Sequence, residues 1–275
     1  EEKNMGLTSD TEKAFDAIDS LLFPTHPYGT QTVIGTQDHL KNPSLKAIRK
    51  QKDTFYVPNN VAICLSGDFD PDEMVRIIKK YFGAWKPNKN LPVFQLERET
   101  PLTAPKEKVI LGNEAEFVLM GWRTPGASAR ESEISDIVSS ILYNGQAGLI
   151  DLDVIQAQTI LDGGIMNYDR ADHGLVLLEG MPQEGQTLEE VRDILLSEVA
   201  KLRDGDFPEE LVEAVKANYK LRQMQALVPN RSRADQFVDA FINRIPWERA
   251  VGKLDRMEKV GKTNRSRLGA SERLR

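Results

Sequence analysis

Side chains equipped for catalysis are few in this sequence, and their spacing assembles no complete site. The three histidines are His26, His39 and His173, the first two within a stretch from Leu22 to Asp68 that also holds Pro-Tyr-Gly and Val-Ile-Gly turns. A helical metal site would need two imidazoles one turn apart with a glutamate between them, as His-Glu-x-x-His or its inverted form His-x-x-Glu-His. Neither pattern occurs. His26, between Thr25 and Pro27, reads as a turn residue that packs or caps. His39 reads as part of a helix start, and His173 as a loop residue. The lone cysteine, Cys64, excludes an internal disulfide and a four-cysteine zinc site. It lies in the apolar run Val61–Leu65, which reads as a buried strand with a core thiol, because a nucleophilic thiolate needs an accessible, electropositive setting. Gly261-Lys262-Thr263 resembles the end of a phosphate loop, but Arg256 stands where the first loop glycine is required.

The elements that would position these residues fall into two runs separated by a proline-rich stretch. Residues 1–6 read as a helix end closed by Gly6, and Thr8, Ser9 or Asp10 as the cap of a helix carrying Phe15, Ile18 and Leu22 on one face. Asn42-Pro43-Ser44 opens another helix, with Leu45, Ile48 and Phe55 on its buried side. The strand Val61–Leu65 follows, then a helix over 72–82 stopped by Gly83. Pro87, Pro92, Pro101 and Pro105 then lie among Lys, Asn and Glu, a composition suited to an extended linker. Beyond it, Lys108–Gly112 and Glu116–Arg123 read as strands, 130–143 as a helix, and Leu149–Leu161 as either. Ile165–Tyr168 and Gly174–Gly180 read as a strand pair. Helices at 187–203, 208–227, 231–243 and 247–259 complete the pattern.

Strand, helix and apolar face thus recur on both sides of the linker. The expected fold class is α+β, with two similar domains, each a mainly antiparallel sheet with helices packed on one face. The 275 residues carry 36 basic and 42 acidic side chains, a formal charge of −6, and no basic run with interleaved aromatics. A nucleic-acid partner is therefore not expected, since phosphate neutralisation needs a concentrated basic face. Nor is a membrane-spanning helix, since no apolar run approaches the roughly 20 residues required.

The order His26-Pro-Tyr-Gly29, Val33-Ile-Gly35, Phe55-Tyr56, Pro58-Asn-Asn60, Gly67-Asp68 and Ile77-Ile-Lys-Lys-Tyr-Phe-Gly83 resembles the pitrilysin/insulinase family of zinc metallopeptidases, which includes mitochondrial processing peptidase. The likeness continues more faintly through Gly185-Gln-Thr-Leu-Glu-Glu-Val-Arg192 and covers roughly residues 1–260. It implies a first domain at 1–90 that is truncated, a linker at 91–105, a second domain at 106–262 and an unmatched basic tail at 263–275.

In that family the inverted motif supplies two imidazoles, and one glutamate far downstream completes a three-ligand zinc site with an open position for water. The resemblance places this ligand about two dozen residues before the His-Pro turn, and counting back from His26 lands on Glu2, with Glu1 as its neighbour. The expectation is a fragment of a zinc-dependent metalloendopeptidase acting on peptides or unfolded segments. It would be inactive alone, because the motif's histidines and general base are absent; the alternative is a non-catalytic scaffold subunit or half of the same family. The chain opens on Glu1-Glu2-Lys3-Asn4, and residue 1 reads as an interior position of a longer protein. Zinc is then expected in the parent and not in this chain. The expected partners are a peptide substrate, the N-terminal part and second half of the parent, and a second copy through an exposed sheet edge.

Overall fold

The computed structural model describes residues 1–94, 96 and 99–259. The basic tail at 263–275 and the Gly261-Lys262-Thr263 run lie outside them. The chain begins with a helical half: α1 (Glu2–Thr8), α2 (Asp10–Leu22), α3 (Pro27–Thr30), α4 (Gln37–Lys41), α5 (Leu45–Phe55) and α6 (Pro71–Phe82). Side-chain oxygens cap several of these at the expected places. Ser9 accepts from the Glu12 N–H to start α2, Ser44 from Ala47 to start α5, and Asp70 from Glu73 to start α6. Gly6 does not end the first helix. α1 runs on to Thr8 and stops where the extended Ser9 turns its N–H back to the Gly6 carbonyl.

One antiparallel sheet follows, made of β1 (Val118–Pro125), β2 (Asp162–Tyr168) and β3 (His173–Met181) in the order β1-β3-β2. Val118 pairs with Gly180 and Pro125 with His173 on one side of β3, and Asp162 with Met181 on the other. The central strand is apolar on both faces, so it must be covered twice. α7 (Arg130–Leu142) and α8 (Leu188–Asp204) cover one face, and α9 (Glu209–Ala226) packs against α7. There Leu178 joins Ile137, Ile141, Val191 and Leu195 in the main core. The opposite face takes α2, whose Ile18 and Leu22 close with Phe23 over Leu175 and Leu177. Each leucine buried this way stabilises the fold by about 1.5–3 kcal/mol relative to exposure.

Two glycines set how closely the helices approach. A Cβ on Gly121 of β1 would meet Ile18 at 2.7 Å, and one on Gly180 of β3 would meet Leu195 at 2.6 Å and Val191 at 2.7 Å. Thr187 and Glu190 form a reciprocal capping box that starts α8, and the left-handed Gly205 ends it. The stretch that read as either helix or strand holds a π-helix over Asp151–Gln156, after which the Thr159 N–H donates to the Val154 carbonyl. α10 (Asn230–Ile242), α11 (Trp247–Val251) and α12 (Lys253–Glu258) complete the described chain. No helix among the described residues is long and apolar enough to cross a membrane.

The α+β class with an antiparallel sheet holds, but several local expectations do not. Val61–Leu65 forms no strand and has no ladder partner among the described residues, and Val61, Ile63 and Leu65 are exposed rather than buried. Cys64 within it is half-buried. Lys108–Gly112 likewise lies outside the sheet, with Val109 and Leu111 exposed. An extended apolar segment becomes a strand only when a neighbour supplies the other half of its hydrogen bonds. Leu45 and Ile48 of α5 are exposed for the same reason, since no described element covers that face. Phe55 finds a stacking partner in Phe94, at 6.1 Å between ring centroids. His173 is the first residue of β3, not a loop residue.

Candidate functional site

Glu1 and Glu2 stand at the start of α1, Glu1 as its N-cap position and Glu2 as its first residue, both exposed to solvent. Among the described residues no cluster of three or more His, Cys, Asp or Glu side chains is assembled that could hold a metal ion. A zinc site requires three protein ligands converging on one point. His39 sits exposed in the first turn of α4, its N–H held by Thr36.

The most elaborate polar constellation lies instead at the seam between the α2–α3 corner and the end of the sheet. His26 is 2% exposed and is the N-cap of α3. Its Nδ1 accepts the Tyr28 N–H at 3.1 Å, so the neutral ring carries its proton on Nε2. That nitrogen is buried with no hydrogen-bond partner among the described residues. The rings of Tyr28 and His173 lie 4.2 Å and 5.3 Å from the His26 ring, and Phe23 closes the set.

Acidic and basic side chains tie this aromatic cluster to its surroundings. Glu99 Oε1 accepts the backbone N–H groups of both Thr25 and His26, at 2.8 and 2.7 Å. Burial pushes the Glu99 carboxyl up, but these donors and Arg123 outweigh it and hold the group below the ordinary carboxylate range. Arg123 reaches from β1 to within 3.9 Å of Glu99 and donates to the Thr100 carbonyl. Arg170 grips Asp19 of α2 with two bonds of 2.9 and 3.0 Å while its guanidinium covers the Tyr28 ring. The Tyr28 hydroxyl accepts the Asp172 N–H. Burial also raises the Tyr28 pKa and lowers that of His173.

A second polar cluster holds the C-terminal helices. Arg256 and Arg249 bracket Glu133 of α7, and Lys253 donates to Asp136 at 2.7 Å. Burial opposes the charge on Lys253, but Asp136 outweighs it and raises the pKa; burial raises that of neighbouring Asp169. A cavity of about 70 Å³ lies between the sheet and α7–α8, walled mainly by apolar side chains including Trp122, Val138, Ile165 and Leu178. Trp122 is half-buried and packs against the main core.

Chemically, these arrangements fasten elements together. Glu99 is committed to backbone donors, and Asp19, Glu133 and Asp136 to cations. The structuring role expected for His26 holds. Sequence reasoning does not single out Glu99, Arg123, Arg170 and Asp172, because their partners lie far away along the chain, as Glu99 does from His26 and Arg170 from Asp19. No local spacing signals such pairs.

The profile of the peptidase M16 inactive domain matches residues 44–219, more than half of the chain. The zinc protease PqqE of Helicobacter pylori is 22% identical over 222 residues, covering 79% of this chain and 50% of that protein. The chain thus spans half the length of this relative. Among solved structures, a protease from Helicobacter pylori superposes with a TM-score of 0.79 at 18% identity, covering 94% of this chain and 68% of the other. The periplasmic protease PqqL from Escherichia coli gives 0.74 at 15% identity, covering 99% of this chain and 32% of the other. At such identities the superpositions speak for the fold, and the profile match speaks for descent. The resemblance read from the His-Pro-Tyr-Gly turn onward agrees with both, and the chain belongs to the peptidase M16 family.

Proposed function

We propose that this chain is the part of a zinc-dependent metalloendopeptidase that follows its His-x-x-Glu-His segment. It would comprise the back of one peptidase domain at 1–90, a linker at 91–105 and a second domain at 106–262, and would be inactive alone. One observation carries the reading: residues 44–219 match a domain described as inactive, in a chain similar to a zinc protease and lacking the His-x-x-Glu-His sequence. Glu2, with Glu1 as the less favoured neighbour, would then supply the third zinc ligand from the exposed first turn of α1. When bound, zinc supplies Lewis-acid polarisation of the scissile carbonyl and a water of lowered pKa. Peptides or unfolded segments suit the sheet architecture, because an extended chain can add to a strand edge through backbone hydrogen bonds. The outer edges of β1 and β2 have no ladder partner among the described residues.

The test is the zinc content of the whole polypeptide after purification and dialysis, measured by atomic absorption. The parent should hold one zinc per active site, Glu2→Gln should lose most of it, and Glu1→Gln should keep it. Full zinc in Glu2→Gln would remove that residue from the site. The alternative is a scaffold half or subunit that keeps the fold without the metal. A preceding segment without His-x-x-Glu-His would select it.

A further inference from the structure

The His26–His173 contact has no role in the metal reading, and its setting is unusual for two imidazoles. His26 is fully buried and uses Nδ1 as the cap of α3, leaving Nε2–H without an acceptor among the described residues; the Asp172 Oδ2 carboxylate oxygen is 4.0 Å away. His173 stands edge-on to it at 5.3 Å and is half-buried, so it is the ring that solvent protons reach. The charged and titratable groups around the pair come from every neighbouring element. α2 contributes Asp19, already bound by Arg170, and α3 contributes Tyr28. The chain before β1 contributes Glu99, committed to the Thr25 and His26 N–H groups, and β1 contributes Arg123. The β2–β3 turn contributes Arg170 and Asp172, and the turn after α10 contributes Arg244, 3.6 Å from Asp172. Asp172 and Glu99, the carboxylates beside the imidazoles, therefore have cations of their own.

We propose that the His26–His173 pair is an acid-operated latch, in which protonation of His173 opens the seam between the α2–α3 corner and the start of β3. A proton on His173 places a cation beside the buried His26 ring and near Arg123, while the neighbouring carboxylates Asp172 and Glu99 already face Arg244 and Arg123. The ring relieves this by turning out to water, which uncovers Phe23 and His26 and frees the short α3 turn. Burial of His173, aided by His26 and Arg123, holds its pKa below the ordinary imidazole value, and Asp172 and Glu99 only partly offset this. The unfolded or opened state consequently binds the proton more readily. Stability of the seam is fully present above the ordinary value and is lost as pH falls through the depressed one. Glu99, held below the ordinary carboxylate range, keeps its charge while the latch opens.

Hydrogen exchange of the intact polypeptide, corrected for intrinsic rates, reads this directly between about pH 7.5 and about pH 5.5, which straddle the imidazole value. The Gly29 and Thr30 amides, both bonded to the His26 carbonyl, should lose protection several-fold on acidification, while amides of α8 stay unchanged. His173→Phe keeps an aromatic ring against Phe23 and should abolish that pH dependence. Unchanged protection in the unmodified protein, or full pH dependence in His173→Phe, would overturn the latch. In case the variant folds poorly, titration of the His173 ring by NMR in the unmodified protein is an independent test. A midpoint below the ordinary value supports the proposal and one above it refutes it.

Discussion

At the scale of single residues, Glu99 shows how one side chain can join two parts of the chain. Its carboxylate satisfies two backbone donors at the α2–α3 corner and faces Arg123 of the sheet. Glu99→Ala should strand both N–H groups, at a cost of about 1–3 kcal/mol each if water cannot replace the acceptor. Chemical denaturation would show this as a lowered midpoint with unchanged slope. Because its pKa is depressed, the Glu99 contribution is present above the ordinary carboxylate value and fades as pH falls through the depressed one. The Glu99→Ala penalty should therefore shrink in strong acid; a penalty constant with pH would contradict the assignment. His26 is legible from sequence as a structuring residue because its Thr-His-Pro setting is local. Glu99 is not, because nothing near residue 99 announces its partners at 25 and 26.

At the scale of elements, the sheet is held by helices that come very close to it. Gly180 allows α8 to rest on β3 through Val191 and Leu195, and Gly121 allows α2 to rest on β1 through Ile18. Gly180→Val should overpack the main core and cost about 1–3 kcal/mol. Gly121→Val should do the same at the α2 face while sparing α8. Thermal unfolding of each variant, with hydrogen exchange to locate the loosened helix, checks both. Equal loosening of α2 and α8 in both variants would show that the two faces are not separately packed. The helices from α7 onward and the β2–β3 pair are legible because their apolar residues follow the period of the element that buries them. Val61–Leu65 and Lys108–Gly112 carry the same strand-like composition, yet composition cannot provide the neighbouring strand on which a ladder depends.

At the scale of the whole molecule, the described chain is unevenly packed. The second half encloses a continuous core, whereas α5, α6 and the Val61–Leu65 segment show Leu45, Ile48, Val75, Ile77 and Ile63 to solvent. Exposed apolar surface next to backbone without ladder partners favours pairing with another chain. The isolated chain should therefore self-associate, with an apparent mass in light scattering that rises with concentration. A constant monomer mass would show that these faces are tolerated in water. Family and fold class can be read from the order of the turns in the first half. The assembly of a metal site cannot, because on the proposed function its histidines come from the His-x-x-Glu-His segment, a pattern this sequence lacks.

On the proposed function, catalysis requires the His-x-x-Glu-His segment together with this chain. The most direct measurement is zinc-dependent hydrolysis of an unstructured peptide by the isolated chain, compared with the polypeptide that also carries that segment. The account predicts no turnover by the isolated chain at any zinc concentration. It predicts turnover by the longer polypeptide that a chelator removes and zinc restores. Zinc-dependent cleavage by the isolated chain would contradict it.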